Sequence, residues 1–189
     1  MFVLKNKYFL IIENTKDIEL SNIKIRDKFN IIYRNNSKLE NIKKLSNFRK
    51  ICKRKRIEFY VSNDKKLATL LKADGLYISA NNKDLTLSYL KNTNYKIIGS
   101  AHSIKEINIK ILQGCKSIIY SRLFKTSYLH KKDFLGVVKF NLINVRLQYL
   151  IPMGGIKMSN LNKLKSVNCK ALVILSEVKK KPAIISRLF

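Results

Sequence analysis

Short apolar runs alternate with polar turns and amphipathic stretches along the whole chain. Tyr8–Ile12 is a continuous apolar run, too short for a buried helix and suited to a buried strand. Phe29–Arg34 is a second such run. After it, Leu39, Ile42, Leu45, Phe48 and Ile51 recur every three residues and mark one face of a helix. Ile57–Ser62 predicts a third strand, Leu67, Leu70 and Leu71 a short helix, and Gly75–Ile78 a fourth strand. Leu85, Leu87 and Leu90 suggest a less regular helix before a fifth strand, Tyr95–Ser100. Ile104, Ile107, Ile111 and Leu112 predict a helix with those four on its inner face. Ser117–Tyr120 is a sixth strand, and a polar loop from Ser121 to about Leu135 leads into a helix begun by Val137, Val138 and Phe140. Tyr149–Met153, Leu161–Leu164 and Ala171–Leu175 complete the alternation.

Eight apolar strands without polar alternation are what a parallel sheet covered on both faces requires. Repeated eight times, the strand–helix unit predicts one closed (β/α)8 barrel of the TIM type. The 189 residues are few for such a barrel, for which about 200–250 are usual. The first and last helices are therefore expected to be reduced. With two prolines and no glycine-rich stretch, nothing marks a linker, and residues 1–189 read as one domain.

Composition narrows the class. Hydrophobic residues make up 46% of the chain, too many for a disordered segment. No apolar run reaches the roughly 18–20 residues of a membrane helix. Met1–Lys7 has no apolar stretch ahead of a small-residue cleavage site, so a cytoplasmic protein is expected. Cys52, Cys115 and Cys169 are odd in number and far apart, which argues against a disulfide framework and for a reducing compartment.

The formal charge is +27, from 39 Lys+Arg against 12 Asp+Glu. Such an excess suits a nucleic-acid binder. However, 31 of the 39 are lysine, beside 25 Ile and 19 Asn, and all three are written by A/T-rich codons. The lysines also spread along the chain with one dense cluster, Arg49–Arg56, at the C-terminal end of a helix, where cations favour the dipole. RNA binding through that face is the remote alternative. No aromatics interleave with the cluster, and no specific nucleic-acid partner is expected.

In a barrel of this kind the working groups follow the strands at one end. Strand four is preceded by Ala73-Asp74-Gly75, and strand five ends in Ile98-Gly99-Ser100-Ala101-His102-Ser103. After strand six come Phe124-Lys125-Thr126-Ser127 and, later, Leu135-Gly136. Strand seven ends in Met153-Gly154-Gly155-Ile156 and strand eight in Ile174-Leu175-Ser176-Glu177. Paired glycines leave no side chain in the way of an anion, so backbone N–H groups there can cradle phosphate oxygens. Thr126 and Ser127 add hydroxyl donors. Of the histidines, His102 is expected to order its loop by hydrogen bonding and His130, beside Lys131 and Lys132, to be solvent-exposed. Asp74 is expected to bond backbone amides in its turn.

These motifs, in this order, resemble the thiamine phosphate synthase/TenI family from about Tyr8 to the end. Leu67-Ala68 with Ala73-Asp74-Gly75, the Ile98–Ser103 run, the Phe124-Lys125-Thr126 loop with Leu135-Gly136, and Gly154-Gly155-Ile156 carry the resemblance. It implies an eight-stranded α/β barrel acting on phosphorylated small molecules. Synthase members join hydroxymethylpyrimidine diphosphate to a thiazole phosphate, releasing pyrophosphate with Mg2+. TenI-type members isomerise the thiazole phosphate.

By motif, the resemblance assigns Thr126, Ser127, Gly154, Gly155, Leu175 and Ser176 to the thiazole phosphate. Ser100 falls beside the reacting pyrimidine, and Arg34 matches an arginine that faces the diphosphate. Asn63, Asp64 and His102 fall on the diphosphate and pyrimidine side. Asn63-Asp64 match the family's Asn-Asp pair with one residue deleted before Leu67, and without that gap Asn63 takes the aspartate position. Asp64, and Asp84 two residues beyond Asn82, are the expected metal ligands. Around Arg34 the chain reads Ile32-Tyr33-Arg34-Asn35-Asn36, without the family's neighbouring glutamine and lysine. Asn82 stands where the family has its second metal-side aspartate, and Arg122 where TenI-type members have a histidine. The expected function is thiamine phosphate synthesis. The alternative is a thiazole-phosphate-binding or TenI-like protein with weakened catalysis.

Overall fold

Phe29–Tyr33 and Gly75–Ile78 are buried at every position, as strands covered on both faces must be. The computed structural model describes residues 7–35, 40–92, 95–126, 133–147 and 149–174. Its strands are β1 (Lys7–Ile12), β2 (Phe29–Tyr33), β3 (Glu58–Ser62), β4 (Gly75–Ile78), β5 (Lys96–Ala101), β6 (Ser117–Ser121), β7 (Leu150–Met153) and β8 (Ala171–Ile174). All pair in parallel with their neighbours in sequence. β8 returns to β1, with Phe9 opposite Val173, and the barrel closes.

Alternate residues point inward, and these fill the barrel with Phe9, Ile11, Ile32, Tyr60, Tyr77, Ile98, Ile119, Ile151 and Val173. The other row, including Tyr8, Leu10, Ile31, Phe59, Leu76 and Ile118, packs outward against α1 (Ile42–Arg54), α2 (Lys65–Leu70), α3 (Ile104–Leu112) and α4 (Gly136–Leu147). On α1, Leu45 and Phe48 are buried, and Ile42 and Ile51 are half-buried beside them, as their spacing predicts.

The connection after β1 is reduced to two short 3-10 turns, Thr15–Asp17 and Leu20–Asn22. The segments expected to be helical around Leu85–Leu90 and Leu161–Leu164 are also 3-10, Leu85–Asn92 and Met158–Ser166. A 3-10 helix rises about 2.0 Å per residue against about 1.5 Å for an α-helix, so fewer residues run the length of the barrel. That is how a short chain closes the fold.

One helix departs from its predicted face. Of the four apolar residues that predict α3 only Ile107 is fully buried, while Ile104, Ile111 and Leu112 are 49%, 39% and 56% exposed. In their place Lys110 and Gln113 are buried completely. Periodicity reads apolar content and has no signal for a buried amine whose partners lie in another loop.

At the N-terminal face of the barrel, Glu58 collects Lys96, the Tyr60 hydroxyl (2.7 Å) and, at 3.8 Å, Lys7. Burial pushes the Glu58 carboxyl up, but the hydrogen bonds from Lys96 and Tyr60 and the lysine charges outweigh it and hold it below the ordinary carboxylate range. Its contribution to stability is therefore present at pH values above about 4.3, the unfolded value, and fades as pH falls through the lower folded one. Glu58→Gln should lower unfolding free energy by about 1–2 kcal/mol at pH 7. Denaturant titrations from pH 7 to pH 3 should show that gap closing. Equal midpoints at pH 7 would remove Glu58 from this account.

Candidate functional site

At the C-terminal mouth the inward row turns polar. Arg34 lies two residues beyond inward-facing Ile32, Ser100 two beyond Ile98, and Ser121 two beyond Ile119. Ser100 is buried, and its hydroxyl and the Arg34 charge both act on the hydroxyl of Tyr77. Burial pushes the Tyr77 hydroxyl up, against the opposing pull of Ser100 and Arg34. The structure thus brings Arg34 and Ser100 together through Tyr77. The sequence reading missed Tyr77, which there is one more apolar residue of a strand.

The glycine pair after β7 is fixed by the loop beside it. Gly154 and Gly155 have φ of +97° and +68°, a region that side chains disfavour. A Cβ on Gly155 would lie 2.4 Å from the Phe124 carbonyl oxygen and 2.6 Å from that of Lys125. One on Gly154 would press on Arg122, 3.1 Å from its Cγ. The amides of Leu123 and Phe124 donate to the carbonyls of Met153 and Gly154 at 2.9 and 3.0 Å. The loops after β6 and β7 are therefore one packed unit. Next in this unit is Thr126, whose hydroxyl is buried and has no hydrogen-bond partner among the described residues. Leaving a buried polar group unmatched costs about 1–3 kcal/mol. Ser127, His130, Leu175 and Ser176 lie outside the described residues.

The loops after β3 and β4 form a second unit. Asn63, at φ +55°, accepts from the Ser79 amide (3.0 Å) and from Asn82 Nδ2 (3.3 Å) and donates to Ser79 Oγ (2.9 Å). Asp64 caps α2 by accepting from the Leu67 amide at 2.8 Å. Asp84 accepts from the hydroxyl and amide of Thr86, and these hydrogen bonds hold it below its ordinary value. The two carboxylates expected to ligate Mg2+ thus each spend an oxygen on local structure. No group of three metal-ligating side chains forms among the described residues. These residues do not make a magnesium site by themselves.

His102 is exposed. Its Nδ1 lies 2.6 Å from Ser121 Oγ and its backbone amide donates to Glu106, an ordering role of the kind its motif suggests. Asp74 accepts from the Phe59 amide at 2.7 Å and pairs with Arg49 at 2.8 Å. The basic cluster is partly consumed inside the fold. Arg49 is 7% exposed and Lys55 donates to the Ile23 carbonyl, while Arg56 and Asp27, 3.7 Å apart, form an exposed surface pair. Burial pushes the thiols of Cys52 and Cys115 up to about 12, which leaves both inert at neutral pH. The opposite face of the barrel holds an open cavity of about 880 Å³ around Phe9, Asn30, Glu58 and Tyr60. The strand-end loops that carry chemistry lie away from it. Among the described residues no helix is long and apolar enough to cross a membrane.

A closed barrel of eight parallel strands, with a glycine pair, a buried hydroxyl and an arginine at its C-terminal mouth, defines a TIM-type α/β barrel as the class. The profile of the thiamine monophosphate synthase family matches residues 5–178, and the chain belongs to that family. It is 30% identical over 132 residues to a thiamine-phosphate synthase of Prochlorococcus marinus strain SARG, an alignment covering 68% of this chain and 38% of the relative. To the thiamine-phosphate synthase of strain AS9601 it is 24% identical, over 94% of this chain and 50% of the relative. The chain therefore spans half or less of the length of these relatives. The fold superposes on thiamine phosphate pyrophosphorylase from Pyrococcus furiosus with a TM-score of 0.73 at 14% identity, covering 96% of this chain and 91% of that one.

Gly155→Ala should cost about 3 kcal/mol or more, from the strained φ and the clash with the Phe124 carbonyl. A melting temperature within error of wild type would show that the two loops part freely. Thr126→Val has the opposite sign. Replacing an unmatched buried hydroxyl by a methyl should stabilise the ligand-free protein by about 1 kcal/mol in denaturant titrations, and a loss of stability would mean that the hydroxyl is satisfied.

Proposed function

We propose that this chain is a thiamine phosphate synthase, joining hydroxymethylpyrimidine diphosphate to thiazole phosphate. The thiazole nitrogen attacks the pyrimidine methylene carbon as its C–O bond breaks. Pyrophosphate leaves with the bonding electrons, and the thiazolium keeps the positive charge. Catalysis of this kind is chiefly positioning plus stabilisation of a polyanionic leaving group. Family membership supports the reading, and the observation that carries it is the buried, unmatched Thr126 hydroxyl in the loop packed on Gly154-Gly155. A phosphate oxygen would satisfy that hydroxyl. Arg34 is assigned to the departing diphosphate, and Ser100 with Tyr77 to the pyrimidine. Asp64 and Asp84 would be the carboxylates to hold a Mg2+ carried by the diphosphate, and such an ion would supply charge neutralisation of the leaving group.

A second reading is a thiazole-phosphate binder with weakened turnover. It is favoured by one observation, the local capping that occupies Asp64 and Asp84. Incubating the pure protein with both phosphorylated precursors and magnesium, and looking for thiamine phosphate, separates the two.

Arg34→Ala should slow product formation about a hundredfold, roughly 3 kcal/mol of transition-state stabilisation. Its affinity for the thiazole phosphate should stay at the wild-type value. Unchanged turnover would take Arg34 out of the site. Thiazole phosphate at a hundred times its dissociation constant should stabilise the wild type by about 2.7 kcal/mol, read as a melting shift. That shift should shrink in Thr126→Val. No shift in the wild type would place the phosphate elsewhere.

A further inference from the structure

Lys110 and Gln113 take part in none of the roles assigned above, yet both are completely buried at the C-terminal end of α3. The stem of Lys110 lies across Gly99. A Cβ on Gly99 would come within 2.9 Å of Lys110 Cγ and Cδ, so glycine there makes room for the amine. The ammonium donates to the Asn82 carbonyl and to Gln113 Oε1 (2.9 Å), both neutral oxygens. Gln113 Nε2 donates to the carbonyls of Asn82 (3.1 Å) and Asp84 (2.9 Å). Three hydrogen bonds thus converge on two carbonyls of the loop after β4. Burying an ammonium among neutral partners is costly, and an apolar residue of similar volume generally serves stability as well or better. Meanwhile Ile111 and Leu112 of the same turn stay exposed. Packing alone does not ask for this arrangement, whereas fixing a loop does.

The loop so fixed is the one that reaches the mouth. Asn82 passes the constraint on through its side chain to Asn63, which also holds Ser79 and precedes Asp64. We propose that Lys110 and Gln113 are positioning residues for the diphosphate side of the site, acting through Asn82 on the Asn63-Asp64 loop. This assignment rests on the synthase function proposed above.

The test uses the full chain carrying Lys110→Met, which keeps a stem beside Gly99 and removes the ammonium. Calorimetric titrations with inorganic pyrophosphate plus magnesium, and separately with thiazole phosphate, are compared with wild type. Pyrophosphate affinity should fall about tenfold, with thiazole phosphate binding unchanged. Gln113→Met, with Lys110 in place, should show the same selective loss, and decides the matter if Lys110→Met does not fold. Equal weakening of both ligands would mean a merely structural role and overturn the proposal, as would undiminished pyrophosphate binding in variants of a wild type that binds it. A wild type that binds no pyrophosphate would overturn the synthase function, and the proposal with it.

Discussion

Closing eight parallel strands into a barrel dictates what every second side chain must do. The inward row has to fill the middle with Ile32, Tyr60, Ile98, Ile119 and Ile151, because a void there could not be closed by relaxing one strand against the next. One step further along each strand, packing no longer decides, and the row becomes Arg34, Ser100 and Ser121. The site is thus the top layer of the core, with Tyr77 the residue that belongs to both. Its ring is in the barrel filling, and its hydroxyl meets Ser100 near Arg34.

Around this floor the loops form two packed units with different means of cohesion. In the loops after β6 and β7 backbone meets backbone, with Gly155 against Phe124 and Lys125 and the amides of Leu123 and Phe124 tied to the β7 loop. On the opposite side, amide side chains do the joining, through Asn63, Ser79 and Asn82, and the buried α3 pair anchors them from beneath. Backbone contacts leave glycine as the only choice. Side-chain networks tolerate substitution more readily, and it is on that side that the chain departs most from the family's pattern.

Some of the positive charge enters the fold as local chemistry. Arg49 ties α1 to the start of β4 through Asp74, and Glu58 gathers lysines at the N-terminal face. A basic cluster in a sequence shows only that cations are close along the chain. Whether they face solvent, a carbonyl or a carboxylate is settled by elements far away in sequence, as the separation of 25 positions from Arg49 to Asp74 illustrates.

The strands, the barrel and the glycine loop were legible in the sequence because each has a local cause. A buried parallel strand needs an unbroken apolar run, and Gly75–Ile78 was bounded by pattern alone. Paired glycines at a strand end announce a turn that a side chain would obstruct, which is how Gly154 and Gly155 were found. Tyr77, the unmatched Thr126 hydroxyl and the inversion of α3 were decided only by the tertiary structure. A side chain's partner there lies on another strand or loop, and neither periodicity nor propensity carries information about it. The sequence reading of this helix rests on Ile104, Ile107, Ile111 and Leu112 and passes over Lys110. The fold reversed them because the carbonyls of a distant loop, and the space left by Gly99, made burial of the amine the better arrangement.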